Sequence, residues 1–266
     1  MPGRLRVAAV QLSPCANRFE SLTRAAALIK KAAAQGAQLV ALPECFTAKY
    51  SASLLQRHAE WVPHDALQGR LQMGRGWGAA MMADAAKRHA IFITGGVIER
   101  ERDVAPGRPT PLFCSAPIYG DRGALVDTYR KVHLDAESDG LKHGEQGVRF
   151  NVGSLRVGML SGSELVHAEL TRTDWLSRYA PSGELPVDAL CVPSAFGSEE
   201  GEQWEPLLRR TALECQSYVL APNIAHDSAD APPHMHGHTM VINPKGLVLA
   251  RCEAGGDGLA IADVEL

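Results

Sequence analysis

Three charged residues of this chain stand where a reaction site could be assembled. Glu44 follows the apolar run 38–42 (QLVAL) through Pro43, at the carboxyl end of a strand, where α/β folds place their ligands. Lys131 closes the segment DTYRK, and Glu137 lies further on, ahead of Gly140 and Gly144. Carboxylates in such places move protons, and an ammonium group steadies negative charge that develops on a substrate. Taken singly, each reads more simply as a surface charge. Spacing along the chain does not show that the three meet. A second cluster, His226, Asp227, Asp230, His234, His236 and His238, falls within the stretch AHDSADAPPHMHGH. Alternate histidines at 234, 236 and 238 can share one strand face, and imidazole with carboxylate suits zinc or similar ions. The plainer reading is a polar, proline-containing loop that feeds the strand HTMVIN.

The elements that must position these groups alternate from the start. Residues 6–12 (RVAAVQL) predict a buried strand, and residues 21–35 an alanine-rich amphipathic helix stopped at Gly36. Residues 38–42 form a second strand ending at Pro43. A long polar loop with Pro63 and Gly69 follows, then a helix over 79–89 and a strand over 91–95. Residues 112–119 and 124–130 flank the turn Gly120-Asp-Arg-Gly123 as a hairpin. Strands are expected at 155–160 and 189–193, a helix at 203–216, and a strand at 217–221. A terminal hairpin is expected at 239–243 and 247–251 around Pro244-Lys-Gly246. Alternation with several hairpins favours helices covering mixed sheets over an all-parallel wheel. Neither a repeat nor a linker divides residues 1–266, which read as a single domain.

The 266 residues are 45% hydrophobic, ample for one large core. A formal net charge of -3 and a pI near 6.4 give no electrostatic reason to expect nucleic acid. The apolar run after Met1 is too short for a secretory signal, and no segment approaches a membrane span. Six scattered cysteines without a CxxC pair point to reduced, buried thiols and a cytoplasmic setting. Cys45 and Cys191 read as packing residues.

The segments LVALPECF (39–46), YRKVHL (129–134), VGMLSGSELVHAEL (157–170), VPSAF (192–196) and GHTMVINPKG (237–246) resemble, in order, the motif series of the nitrilase superfamily, the carbon–nitrogen hydrolases. That resemblance implies an α/β fold, an αββα sandwich of mixed sheets with helices on the outer faces. It also implies pairing into homodimers or larger homo-oligomers, and hydrolysis of small amides, carbamoyl compounds or nitriles without metal or organic cofactor. Glu44 matches the family's general base, Lys131 its oxyanion-stabilising lysine, and Glu137 a second, positioning glutamate for which Asp139 competes. The family's nucleophilic cysteine falls at residue 162, counted forward from Val157-Gly158 or back from Glu169-Leu170. Residue 162 is glycine.

Several expectations follow. Gly162 should enlarge the pocket and tolerate a strained elbow. Ser161 and Ser163 flank it and, as strand neighbours, should point away from it, although an elbow could bring Ser163 round as a replacement nucleophile. Ser163 and Glu164 are expected to line the substrate, Glu164 standing for the family's acid there. Val166-His167-Ala168 departs from the usual pattern. The function expected is that of a non-catalytic homologue binding a small molecule. The alternatives are an active amidase seen as a nucleophile-altered form or using Ser163, or a metal-binding protein using His234, His236 and His238. Loops 47–75 and 195–204 would set specificity.

Overall fold

Strand β1, Arg4–Gln11, turns Val7 and Ala9 to one face and Ala8 and Val10 to the other, and all four are fully buried. Such a strand must be covered on both sides. The computed structural model describes residues 3–13, 17–47, 55–71, 76–102, 110–134, 140–167, 187–226 and 235–266.

Helix α1, Arg18–Ala34, starts at Asn17, whose side chain accepts from the Phe19 amide, and leads through Gly36 in the left-handed region to β2, Leu39–Ala41. Two short helices, α2 (Leu55–His58) and α3 (Ala66–Leu71), occupy stretches where the sequence suggested only loop. Helix α4, Trp77–His89, precedes β3, Phe92–Thr94. The helix has no side-chain cap of its own. Instead, buried Glu60 accepts from the Gly78 and Ala79 amides.

Strands β4 (Val97–Arg100), β5 (Leu112–Tyr119) and β6 (Leu125–Arg130) complete one side, and β5 and β6 form the expected antiparallel hairpin. The other side comprises β7 (Arg149–Val152), β8 (Leu155–Met159), β9 (Ala189–Cys191), β10 (Tyr218–Ala221), β11 (Met240–Ile242) and β12 (Val248–Arg251), with helix α5 (Gly201–Cys215) between β9 and β10. Strand β13, Gly258–Glu265, returns to lie antiparallel on β1.

The first sheet has seven strands in the order β13-β1-β2-β3-β5-β4, with β6 on β5, and the second has six in the order β12-β11-β10-β9-β8-β7. Pairing is parallel for β1-β2-β3 and β8-β9-β10 and antiparallel elsewhere. Three apolar layers result. Leu22, Ala25 and Ile29 of α1 and Met82 and Ala86 of α4 cover Ala8, Val10 and Val40. Val7, Ala9, Leu39 and Ile118 meet Val157, Met159, Ala189 and Val241 between the sheets. Trp204, Leu208 and Ala212 of α5 cover Leu190, Val192, Val219 and Ile242. The chain is an αββα sandwich of mixed sheets. Among the described residues no helix is long and apolar enough to cross a membrane.

Candidate active site around Glu44 and Lys131

The two sheets meet at the carboxyl ends of β2, β8 and β9, and the site lies there. Past β2, the Glu44 amide donates to the Ser194 carbonyl at 3.2 Å, tying the end of one sheet to the chain beyond β9 in the other. Gly96 allows this close packing. A Cβ there would stand 2.5 Å from the Glu44 Cα.

Lys131 follows β6 and its amide donates to the Cys114 carbonyl at 2.8 Å, so it stands opposite Cys114 of β5. Opposed residues of an antiparallel pair project to the same face, here towards the space between the sheets. The Lys131 Nζ lies 3.8 Å from the Glu44 Oε1, and both side chains are buried. The same Oε1 accepts from the Cys114 Sγ at 3.3 Å, while the Ser161 hydroxyl donates to Oε2 at 2.6 Å. Cys114 stays a thiol: its hydrogen bond to Cys45, its burial and the Glu44 charge all raise its pKa well above the ordinary range, against the pull of Lys131. Glu44 and Lys131 thus form one buried ion pair, with a hydroxyl and a thiol in contact with the carboxylate.

Glu164 holds this arrangement in place. Its Oε1 accepts from the Val132 and His133 amides at 2.9 and 3.0 Å, and its Oε2 from the Ser161 amide at 2.7 Å and the Tyr129 hydroxyl. Four donors use all the lone-pair directions of a carboxylate, and the residue is fully buried. Glu164 therefore positions Lys131 and Ser161 instead of facing a ligand as the sequence suggested. Burial and the neighbouring Glu164 charge push the Tyr129 hydroxyl well above its usual pKa.

Gly162 opens the 3-10 turn Gly162–Val166, directly after Ser161. Its backbone is outside the left-handed region, so the strained elbow expected there is not seen. Nor does glycine open extra space. A Cβ at 162 would lie 2.5 Å from the Ser194 Oγ and 2.7 Å from the Ser194 Cβ. The Ser194 side chain takes up the volume. The hydroxyl that reaches Glu44 belongs to Ser161, which is still extended (φ -107°, ψ 157°) and points away from the direction of residue 162, so the side of the chain that faces Glu44 is that of Ser161 and not of Gly162. Ser163 is half-buried in the turn.

Glu137 and its competitor Asp139 lie outside the described residues, as do Asp227, Asp230 and His234 of the histidine cluster. His236 and His238 are described, with ring centroids 4.7 Å apart. The His236 ring packs so closely on Gly201, at the start of α5, that a Cβ there would stand 2.2 Å from its Nδ1.

The carbon–nitrogen hydrolase family model matches residues 6–266. The chain belongs to that family. It is 31% identical over 272 residues to the omega-amidase NIT2 of Bos taurus, covering 98% of this chain and 88% of that protein. It is 30% identical to the Homo sapiens omega-amidase NIT2, with the same coverages. Among solved structures it superposes on Saccharomyces cerevisiae Nit3, a member of the nitrilase superfamily, with a TM-score of 0.82, 25% identity, and coverage of 98% of this chain and 90% of that one.

Within this carbon–nitrogen hydrolase, sequence reasoning brought forward Glu44 and Lys131 but passed over Cys114, Ser161 as a partner of Glu44, and Ser194. The hairpin carried a signal for Cys114, since Ser115 pairs with Arg130 and the next step sets Cys114 against Lys131. A register shift between Ile118 and Tyr119 displaces any count made from the turn by one residue.

Proposed function

We propose that the Glu44–Lys131 pair binds a small amide, carbamoyl compound or nitrile, and that no acyl-enzyme forms at residue 162. One observation carries this reading: a buried carboxylate and ammonium 3.8 Å apart, with Ser161, the chain neighbour of Gly162, hydrogen-bonded to the carboxylate. A polarised amide matches such a pair, because its oxygen accepts from the ammonium while its N–H donates to the carboxylate. The omega-amidase names of the relatives support an amide over a nitrile. In well-studied covalent hydrolases, losing the nucleophile costs about 10⁶ in turnover, or about 8 kcal/mol of barrier. Positioning by Glu44 and Lys131 does not replace that. The family's habit of pairing and the five buried free thiols favour a homo-oligomer working in a reducing compartment.

Calorimetric titration with a panel of small amides, carbamoyl compounds and nitriles tests the reading. At least one class should bind to the wild type. Lys131→Met, checked for folding by circular dichroism, should weaken that binding at least tenfold, roughly 1.4 kcal/mol. Equal affinity in a folded Lys131→Met protein would remove the pair from the binding site. A second reading, a serine-dependent amidase, draws on the Ser161 hydroxyl held 2.6 Å from Glu44. It requires measurable turnover that vanishes in Ser161→Ala.

A further inference from the structure

The amide-binding reading makes no use of two of the thiols around Glu44. The Cys114 Sγ contacts Oε1, and donor atoms of Glu44, Cys45 and Cys114 all lie within 4.8 Å of one another, each from a buried residue. Cys45 reaches this point through an uncommon backbone. Its φ of 50° places a non-glycine residue in the left-handed region. In an extended strand Glu44 and Cys45 would face opposite ways, and the left-handed turn brings both donors to one side. We propose that Glu44, Cys45 and Cys114 form a binding site for a thiophilic divalent ion of the zinc and cadmium type, bound by two thiolates and one carboxylate oxygen with water as the fourth ligand.

Geometry and charge both favour this ligand class. Tetrahedral zinc with bonds of about 2.3 Å to sulfur and about 2.0 Å to oxygen sets sulfur and oxygen about 3.5 Å apart. Cys114 Sγ and Glu44 Oε1 are already separated by 3.3 Å. The Ser161 hydroxyl occupies Oε2 and orients the carboxylate, as partners outside a metal's own ligands commonly do. The binding step exchanges one doubly charged ion for two thiol protons: the ion binds, both S–H bonds break, and two protons leave to solvent. The Glu44 charge remains balanced by Lys131. Net charge in the buried site is the same before and after, so uptake leaves no isolated charge in the low-dielectric interior. A hard ion such as magnesium gains nothing from two sulfur donors.

The experiment uses the full, tag-free chain, reduced with a phosphine, freed of metal and titrated with cadmium. Near-ultraviolet sulfur-to-cadmium charge-transfer absorption should saturate at one ion per chain, with two protons released per ion, as read with a pH indicator. Cys45→Ser and Cys114→Ser should each weaken binding at least tenfold and diminish the absorption, while Cys215→Ala leaves both unchanged. If either serine variant fails to fold, X-ray absorption fine structure at the zinc edge of the wild type decides instead. Two sulfur neighbours support the site, and any other count overturns it. Absence of stoichiometric charge transfer, or its survival in both serine variants, also overturns it. Failure here leaves amide binding untouched, because the calorimetric panel is run without metal. Since both readings use Glu44, saturation with zinc should suppress amide binding.

Discussion

Replacing Gly162 by alanine asks whether a side chain at this position would find a hole or meet an occupied space. The new Cβ would stand 2.5, 2.7 and 3.1 Å from the Oγ, Cβ and Cα of Ser194. Rotating Ser194 moves its Oγ, but its Cβ is fixed by a backbone held on two sides: its amide donates to the Pro222 carbonyl at 3.0 Å, and its carbonyl accepts from Glu44. Gly162 is held just as firmly, with its amide on the Pro193 carbonyl at 3.0 Å. Overpacking of this kind costs about 1–3 kcal/mol. At the middle of that range, Tm should fall by about 4–8 °C for a chain of this size. Ser194→Gly removes the two closest atoms and leaves the backbone of residue 194 in place, 3.1 Å from the new methyl group. Alone it costs about 1–2 kcal/mol, from the lost hydrogen bond to the Val192 carbonyl and the freer unfolded backbone. In urea unfolding, the double variant Gly162→Ala, Ser194→Gly should therefore be about 1–2 kcal/mol more stable than the sum of the single effects predicts. A Gly162→Ala protein within about 0.5 kcal/mol of wild type, or a coupling below that size, would refute the packing argument.

Two further perturbations probe the supports of the site and the sheet edge. Glu164→Gln puts an amide NH2 against backbone donors in a fully buried position and should cost about 3 kcal/mol in urea unfolding, with Tyr129→Phe costing about 1 kcal/mol; a change under about 1 kcal/mol for Glu164→Gln would remove its positioning role. At the β1–β13 edge, Arg6 and Arg4 hold the Asp263 carboxyl down at about 2. A depressed carboxyl stabilises the fold above its unfolded pKa, about 3.9, and loses that contribution as pH falls towards about 2. The urea midpoint of wild type should therefore drop more than that of Asp263→Asn between pH 4 and pH 2, by a modest amount that added salt reduces. Parallel profiles would dismiss the clasp.

The layers of this fold were readable because each rests on local pattern. β1 and β2 are short apolar runs ended by polar or proline residues, α1 has a polar cap and a terminal glycine, and the β5–β6 turn carries its own glycines. What escaped depends on distant partners. β13 alternates Leu259, Ile261 and Asp263 with Ala260, Ala262 and Val264, but its pairing partner is at the opposite end of the chain. β4 is short and ends in Glu99 and Arg100, and no strand was expected there. Glu99 is instead buried, accepting from Ser115 and Arg130. In the site, Glu44 and Lys131 were legible through motif resemblance, not through physics. Their meeting needs a strand of one hairpin and the end of another strand to converge on the second sheet. Cys114 lay hidden inside LFCSAPIY, every residue of which is buried, so nothing distinguished its sulfur from packing.

Persistence of the Glu44–Lys131 pair is not by itself a sign of catalysis, and its energetics explain why. Both charges are buried, and each is the other's counterion at 3.8 Å. Removing one partner of a buried ion pair costs about 3–5 kcal/mol in general, whereas replacing both together by groups of similar size is often neutral. A chain that drifts by single substitutions therefore meets a barrier at either residue even when no reaction depends on them. The same logic gives no such protection to a nucleophilic thiol, which is uncharged until it reacts. Unfolding measurements on Glu44→Gln, on Lys131→Met and on the two together separate these cases. Each single change should destabilise by about 3 kcal/mol or more, and the double by clearly less than their sum, with a coupling of at least about 2 kcal/mol. Additive losses would show that Ser161 and Cys114 already satisfy the carboxylate on their own. In that case, retention of the lysine would need a ligand to account for it.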